Sequence, residues 1–198
     1  VNAHRNAEGT FGLYRADEEH DACGTGFVAH TRGQRSHEVL RDALTMLENL
    51  AHRGGVGVDP DTGDGAGVLL QVPHALYRDT VDFALPRAGA YGVGMLFLPR
   101  DAQLRARCEA ALAGCAAESG LTVLGWRAVP TDPTCVGPTG RASMPDIAQV
   151  FVAGRAAADG QSGIFATDGA LEGDALERAL FALRRRWERA VEGVDAYA

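Results

Sequence analysis

Hydrophobic and polar positions along the chain alternate between two periods, and the elements can be read from where the period changes. Residues 23–30 (CGTGFVAH) form a short apolar run that predicts a strand, and Thr31-Arg32-Gly33-Gln34 predicts a turn after it. From Ser36, a suitable N-cap, Val39, Leu40, Ala43, Leu47, Leu50 and Ala51 recur at helical spacing, so a helix is expected over residues 37–52 with Gly54 as its C′ residue. Residues 54–67 (GGVGVDPDTGDGAG) are turn chemistry, and 66–72 (AGVLLQV) read as a buried strand. A short helix is expected over 73–79, its proline tolerated in the first turn. The second half reads as a strand at 91–98, a helix capped by Asp101 and running to about Ser119, strands at 121–129 and 149–153, and a helix over 171–191. Residues 130–145 read as a loop, and 163–166 as a further short strand. The order β, α, β, β, α resembles a split βαβ unit without its last strand, and the fold class is α+β.

Lengths give the first functional hint. Eight extended residues span roughly 26 Å at about 3.3 Å each, and a helix over 37–52 covers roughly 24 Å at about 1.5 Å per residue. If that helix packs back along the strand, Arg53 returns to the neighbourhood of Cys23, and a thiol and a guanidinium share one end of the layer.

Composition narrows the chemistry. With 198 residues, 46% of them hydrophobic, the chain can bury a substantial core. A formal charge of -7 and a pI of about 5.3 argue against nucleic acid as a partner. All 19 basic residues are arginine, which removes Schiff-base lysines and the phosphate lysine of nucleotide-binding loops. The four cysteines, Cys23, Cys108, Cys115 and Cys135, show neither zinc spacing nor a disulfide framework, so no metal site is expected and a reducing cytoplasm fits. Cys108 and Cys115 fall at core-facing helical positions and read as small core residues. No stretch is long enough to cross a membrane. Arg184, Arg185 and Arg186 sit near Glu177 and Glu188 and read as a solvated helix face with no function.

Residues 1–22 are polar and aperiodic: either an ordinary disordered terminus or a leader that is removed. Removal would free an α-amino group beside the Cys23 thiol. Such an amine titrates at about 7.7 to 8.0 and can serve as the general base.

Three motifs in order, Cys23-Gly24-Thr25-Gly26-Phe27, Leu47-Glu48-Asn49-Leu50-Ala51-His52-Arg53-Gly54-Gly55 and Asp59-Pro60-Asp61-Thr62-Gly63-Asp64-Gly65-Ala66-Gly67, resemble the start of the glutamate synthase large subunit, a class II glutamine amidotransferase (glutaminase) domain. The segment Met144 to Val152 and the arginine-rich helix are similar to later stretches of the same domain in that family. The resemblance implies an N-terminal-nucleophile hydrolase fold, an αββα sandwich of two antiparallel sheets between helical layers, here incomplete. Residues 1–22 would be the leader, and 23–198 the first part of the domain.

By match of position Cys23 corresponds to the nucleophile and Arg53 to the residue that grips the α-carboxylate of glutamine. The resemblance further implies FMN and an iron-sulfur cluster in other parts of the full-length protein and none in this segment. Its partners would be the remaining domains and the small subunit. Thr25 and Gly55 depart slightly from the family's usual residues. More consequentially, the family's Asn-Gly oxyanion pair is absent: asparagine occurs only at Asn2, Asn6 and Asn49, none before a glycine. An oxyanion donor is worth about 2.7 to 4 kcal/mol, so the segment alone should be a poor glutaminase. Two other readings remain open: a non-catalytic binding or interaction module on the same core, and an N-terminal-nucleophile hydrolase acting on a different amide.

Overall fold

The computed structural model describes residues 24–55, 59, 61–63, 65–155, 171–194, 196 and 198. Cys23, residues 1–22 and the strand expected at 163–166 lie outside the described residues. The chain forms two compact units, residues 1–69 with 135–140 and residues 70–134 with 141–198.

The second unit is built on a three-stranded sheet in the order β1 (Tyr91–Leu98), β3 (Asp146–Gly154), β2 (Leu121–Ala128). Both outer strands run antiparallel to β3, Tyr91 facing Ala153 in one ladder and Leu121 facing Gly154 in the other. β1 and β2 are therefore parallel to each other, joined by helix α3 (Ala102–Glu118) and parted by β3. This is the split βαβ connection expected from the order of the elements. Asp101 caps α3 as expected, its Oδ1 accepting the N–H of Gln103 at 3.0 Å and of Leu104 at 2.8 Å.

One face of the sheet carries Leu96, Leu98, Leu121, Val150 and Val152, covered by Cys108, Leu112 and Ala116 of α3 and by Leu176, Leu183 and Trp187 of α5 (Gly173–Ala190). Trp187 is fully buried and its indole N–H donates to the Cys108 carbonyl at 2.9 Å, so the largest core side chain has its one polar atom satisfied. Cys108 lies in this core, and burial pushes its thiol pKa up, away from reactivity. Arg184 and Arg185 reach Glu188 from the outer side of α5, at 3.4 and 2.5 Å.

The opposite face gathers Tyr77 of α2 (His74–Thr80) with Tyr91, Phe151 and Ala153. Tyr77 and Phe83 meet Phe151 edge-on, with centroids 4.9 and 5.3 Å away. Gln149, only 7% exposed, is satisfied by donating to the Tyr77 hydroxyl and accepting from Arg127, both at 2.9 Å. In β2 the register shifts between Val123 and Gly125. The extra residue turns Trp126 onto the helix-covered face, where strict alternation from Val123 would have put Gly125.

In the first unit, α1 (His37–Asn49) starts at the expected N-cap, Ser36 accepting the Val39 N–H at 3.3 Å. It ends earlier than expected. The Leu50 N–H reaches both Met46 and Leu47 carbonyls, and Ala51–Arg53 continues as a single 3-10 turn. Gly54 is extended, with φ -79° and ψ 139°, so it is not the left-handed C′ residue its position suggested.

Two expected strands are not seen among the described residues. Residues 24–30 and 65–73 form no ladder among the described residues, and Phe27 and Leu69 are 89% and 100% exposed. A strand exists only through its neighbour's hydrogen bonds, and apolar sequence by itself cannot supply them. The residues expected as one loop at 130–145 contain a 3-10 turn (Pro133–Cys135) and the short helix α4 (Pro138–Ser143). The described residues thus hold one antiparallel sheet with helices on its flanks.

Replacing Trp187 by alanine should cost about 3 to 5 kcal/mol. Denaturant midpoints of the two chains measure it.

Candidate active site

The candidate site lies in the first unit, where the segment after Cys23 runs along α1. A side chain added at Gly26 would meet the Met46 sulfur at 2.5 Å, and one added at Gly24 would meet Leu50 Cδ2 at 3.0 Å and the Arg53 Cγ at 3.4 Å. Moving two extended residues covers roughly 6.6 Å, and the four helical residues from Met46 to Leu50 roughly 6 Å. The segment and the helix are therefore antiparallel and in step. Glycine at 26 lets the backbone lie this close to the Met46 side chain, which a Cβ there would have to displace, while a Cβ at Gly24 would press on Leu50.

Arg53 is thus packed by its aliphatic stem against Gly24, the residue joined to Cys23 by one peptide bond. Its side chain is exposed, and it makes no ion pair among the described residues. The 3-10 turn that carries it is closed by the Arg53 N–H on the Leu50 carbonyl at 2.8 Å and the Gly54 N–H on the Ala51 carbonyl at 3.2 Å. His52 Nδ1 lies 2.9 Å from the Asn49 carbonyl, an acceptor, so Nδ1 carries the proton. Of the two site residues expected from sequence, Arg53 lies at this contact and Cys23 lies outside the described residues.

A second feature has no local signature in the sequence. Asp59 and Thr62, from the glycine-rich loop, meet the turn at 137–140. Asp59 Oδ2 accepts the Thr139 N–H at 3.2 Å, Thr62 Oγ1 accepts the Gly140 N–H at 3.2 Å, and the Asp61 carbonyl accepts the Gly137 N–H at 2.9 Å. Hydrogen bonding from the side chains of Thr139 and Thr62 holds the Asp59 carboxyl below its ordinary value. A depressed folded pKa contributes stability above the unfolded value, lost only as pH falls through the lower one, so this link persists at neutral and mildly acidic pH. Turn-forming residues at 59–64 were visible in the sequence, whereas their partners some eighty positions away were not.

Among the described residues no group of three or more His, Cys, Asp or Glu side chains could hold a metal ion, and no helix is long and apolar enough to cross a membrane. Cys108 and Cys115 belong to α3 of the second unit and Cys135 to the first unit, all three as free thiols.

A model of the class-II glutamine amidotransferases matches residues 23–197. The chain belongs to that family. It is 39% identical over 189 residues to the glutamate synthase (NADPH) large chain of Bacillus subtilis (strain 168), a match covering 94% of this chain and 12% of the relative. To the glutamate synthase (NADH) of Saccharomyces cerevisiae it is 40% identical over 146 residues, covering 70% and 7%. The chloroplastic ferredoxin-dependent glutamate synthase of Oryza sativa subsp. japonica is 37% identical over 181 residues, covering 89% and 10%. This amidotransferase chain spans about a tenth of the length of the curated relatives it matches.

The packing of Gly26 on Met46 carries a prediction. Gly26→Val should destabilise the chain by about 1 to 3 kcal/mol. Met46→Ala in the same chain should recover most of that loss in thermal unfolding, because it removes the side chain in the way.

Proposed function

We propose that this chain is the glutaminase part of a glutamate synthase, with Cys23 as nucleophile and Arg53 as the clamp for the substrate's α-carboxylate. The observation that carries the reading is the packing of Arg53 against Gly24 in a segment whose family match starts at Cys23. A guanidinium offers paired N–H donors that fit a carboxylate bidentately, which fixes the far end of glutamine and so orients its side-chain amide. Removal of residues 1–22 would leave the Cys23 α-amino group to take the thiol proton.

The thiolate attacks the amide carbon and forms a tetrahedral adduct. Protonation of the amide nitrogen lets ammonia leave, and a thioester remains. Water then adds to the thioester, releasing glutamate and returning the thiol. The oxyanion donors and a complete two-sheet N-terminal-nucleophile sandwich belong, in this reading, to residues beyond the segment, which is why the segment alone is a poor glutaminase. The ammonia goes to 2-oxoglutarate in another domain, where FMN and an iron-sulfur cluster supply reducing chemistry.

The remaining domains and a small subunit are the macromolecular partners in this reading, and the compartment is the cytoplasm. Identity is similar to relatives named for NADPH, NADH and ferredoxin.

In the complete native polypeptide Cys23→Ala should abolish glutamine-dependent glutamate formation and leave ammonia-dependent formation intact; retained glutamine-dependent activity rejects the assignment. Arg53→Ala should raise the KM for glutamine roughly 10- to 150-fold, the loss of a charged hydrogen-bonding partner worth about 1.5 to 3 kcal/mol. Steady-state kinetics at varied glutamine measure it, with Arg53→Lys recovering part of the loss because it keeps charge without the fork.

A further inference from the structure

We propose that His52 is a positioning residue for Arg53: its imidazole takes the Asn49 carbonyl, keeps residues 51–53 in a 3-10 turn, and so sets where the arginine stem lies. The turn stands on geometry, while the substrate gripped by Arg53 rests on the glutaminase reading above.

Local sequence favours a longer helix than the one that forms. Leu50, Ala51 and Arg53 are good helix formers, and the apolar period runs on to Ala51. In an α-helix continued through Arg53, its N–H would bond the carbonyl four residues back, that of Asn49. It bonds the Leu50 carbonyl at 2.8 Å instead, and the Asn49 carbonyl accepts from His52 Nδ1 at 2.9 Å. The imidazole thus supplies the donor that the Arg53 backbone gives up. A histidine at a helix C-terminus can bond the last carbonyls in this way, which offsets the poorer hydrogen-bond geometry of the 3-10 turn.

The two courses place Arg53 differently. Per residue, a 3-10 turn winds about 20° further than an α-helix and rises about 0.5 Å more. Over the three residues of the turn this amounts to roughly 60° around the axis and 1.5 Å along it, a shift of roughly 2 to 3 Å at the Arg53 Cα. The Arg53 stem lies against Gly24, where an added Cβ would meet Arg53 Cγ at 3.4 Å and Arg53 Cβ at 3.5 Å. A contact that close does not survive such a shift. His52 acts through the turn and needs no contact with substrate.

The test compares the complete native polypeptide with its His52→Leu and His52→Asn variants in glutamine kinetics and amide hydrogen exchange. Leucine keeps bulk and helix propensity without the donor, whereas asparagine keeps an N–H donor at the δ position. His52→Leu should raise the KM for glutamine about fivefold, the effect of one hydrogen bond. The kcat should stay nearly constant, because binding and not the chemical step loses its orientation. Exchange at Arg53 and Gly54 should quicken by a similar factor, and His52→Asn should recover most of both losses. In an Arg53→Ala background, His52→Leu should add nothing further to KM, since the two residues act through one contact.

An unchanged KM in His52→Leu overturns the proposal. So does a rise that persists in full in the Arg53→Ala background, or one that asparagine does not recover. If His52→Leu fails to fold, His52→Ala decides in its place. A parent polypeptide that does not hydrolyse glutamine rejects the glutaminase reading; exchange at Arg53 and Gly54 then still decides whether His52 holds the turn.

Discussion

From Gln149 to Gly154, strand β3 is paired on both sides and buried on both faces, and the second unit is arranged around that constraint. Its backbone pairs on one side with β1 and on the other with β2. Its side chains alternate between Val150 and Val152, which meet α3 and α5, and Gln149, Phe151 and Ala153, which meet the aromatic cluster on the opposite face. A slip of one residue would exchange the two sets and put Gln149 into the aliphatic core. The hydrogen bonds that Gln149 donates to Tyr77 and accepts from Arg127 belong to the observed register, so a buried polar group helps to specify it.

The first unit depends on a different kind of fit. Its close contact is between backbone and helix, made possible by side chains that are missing at Gly24 and Gly26. A thiol chemistry that needs a substrate clamp beside it gains from such an arrangement, since the residue following the proposed nucleophile leans directly on the arginine stem. Membership of the class-II glutamine amidotransferases and this contact support one another.

Much of the fold is legible in the sequence, for reasons that can be named residue by residue. Asp101 and Ser36 are readable as caps because a short polar side chain before a periodic run has a local hydrogen bond to make. Arg53 lies beside Gly24, as a comparison of an extended length with a helical length suggests, although the segment pairs in no ladder among the described residues and α1 ends at Asn49. The strands expected at 66–72 and 23–30 form no ladder among the described residues, because their apolar composition announces burial without naming a partner. Gly54 is not a C′ residue because α1 tightens into a 3-10 turn before it, a choice made by where Leu50 finds its carbonyl partners.

By itself, then, the sequence determined what local chemistry controls: the caps of α1 and α3, the α+β order, the core-facing cysteines of α3, the solvated arginines of α5, and the motifs of the family. Tertiary structure alone decided what depends on partners far along the chain: the place of β3 between β1 and β2, the bulge that turns Trp126, and the meeting of Asp59 and Thr62 with the 137–140 turn. The physical reason is the range of the interactions. Caps and helical periods are settled within a few residues, whereas a ladder or a side-chain tie has no energy until a distant segment arrives, and no local pattern records which segment that is.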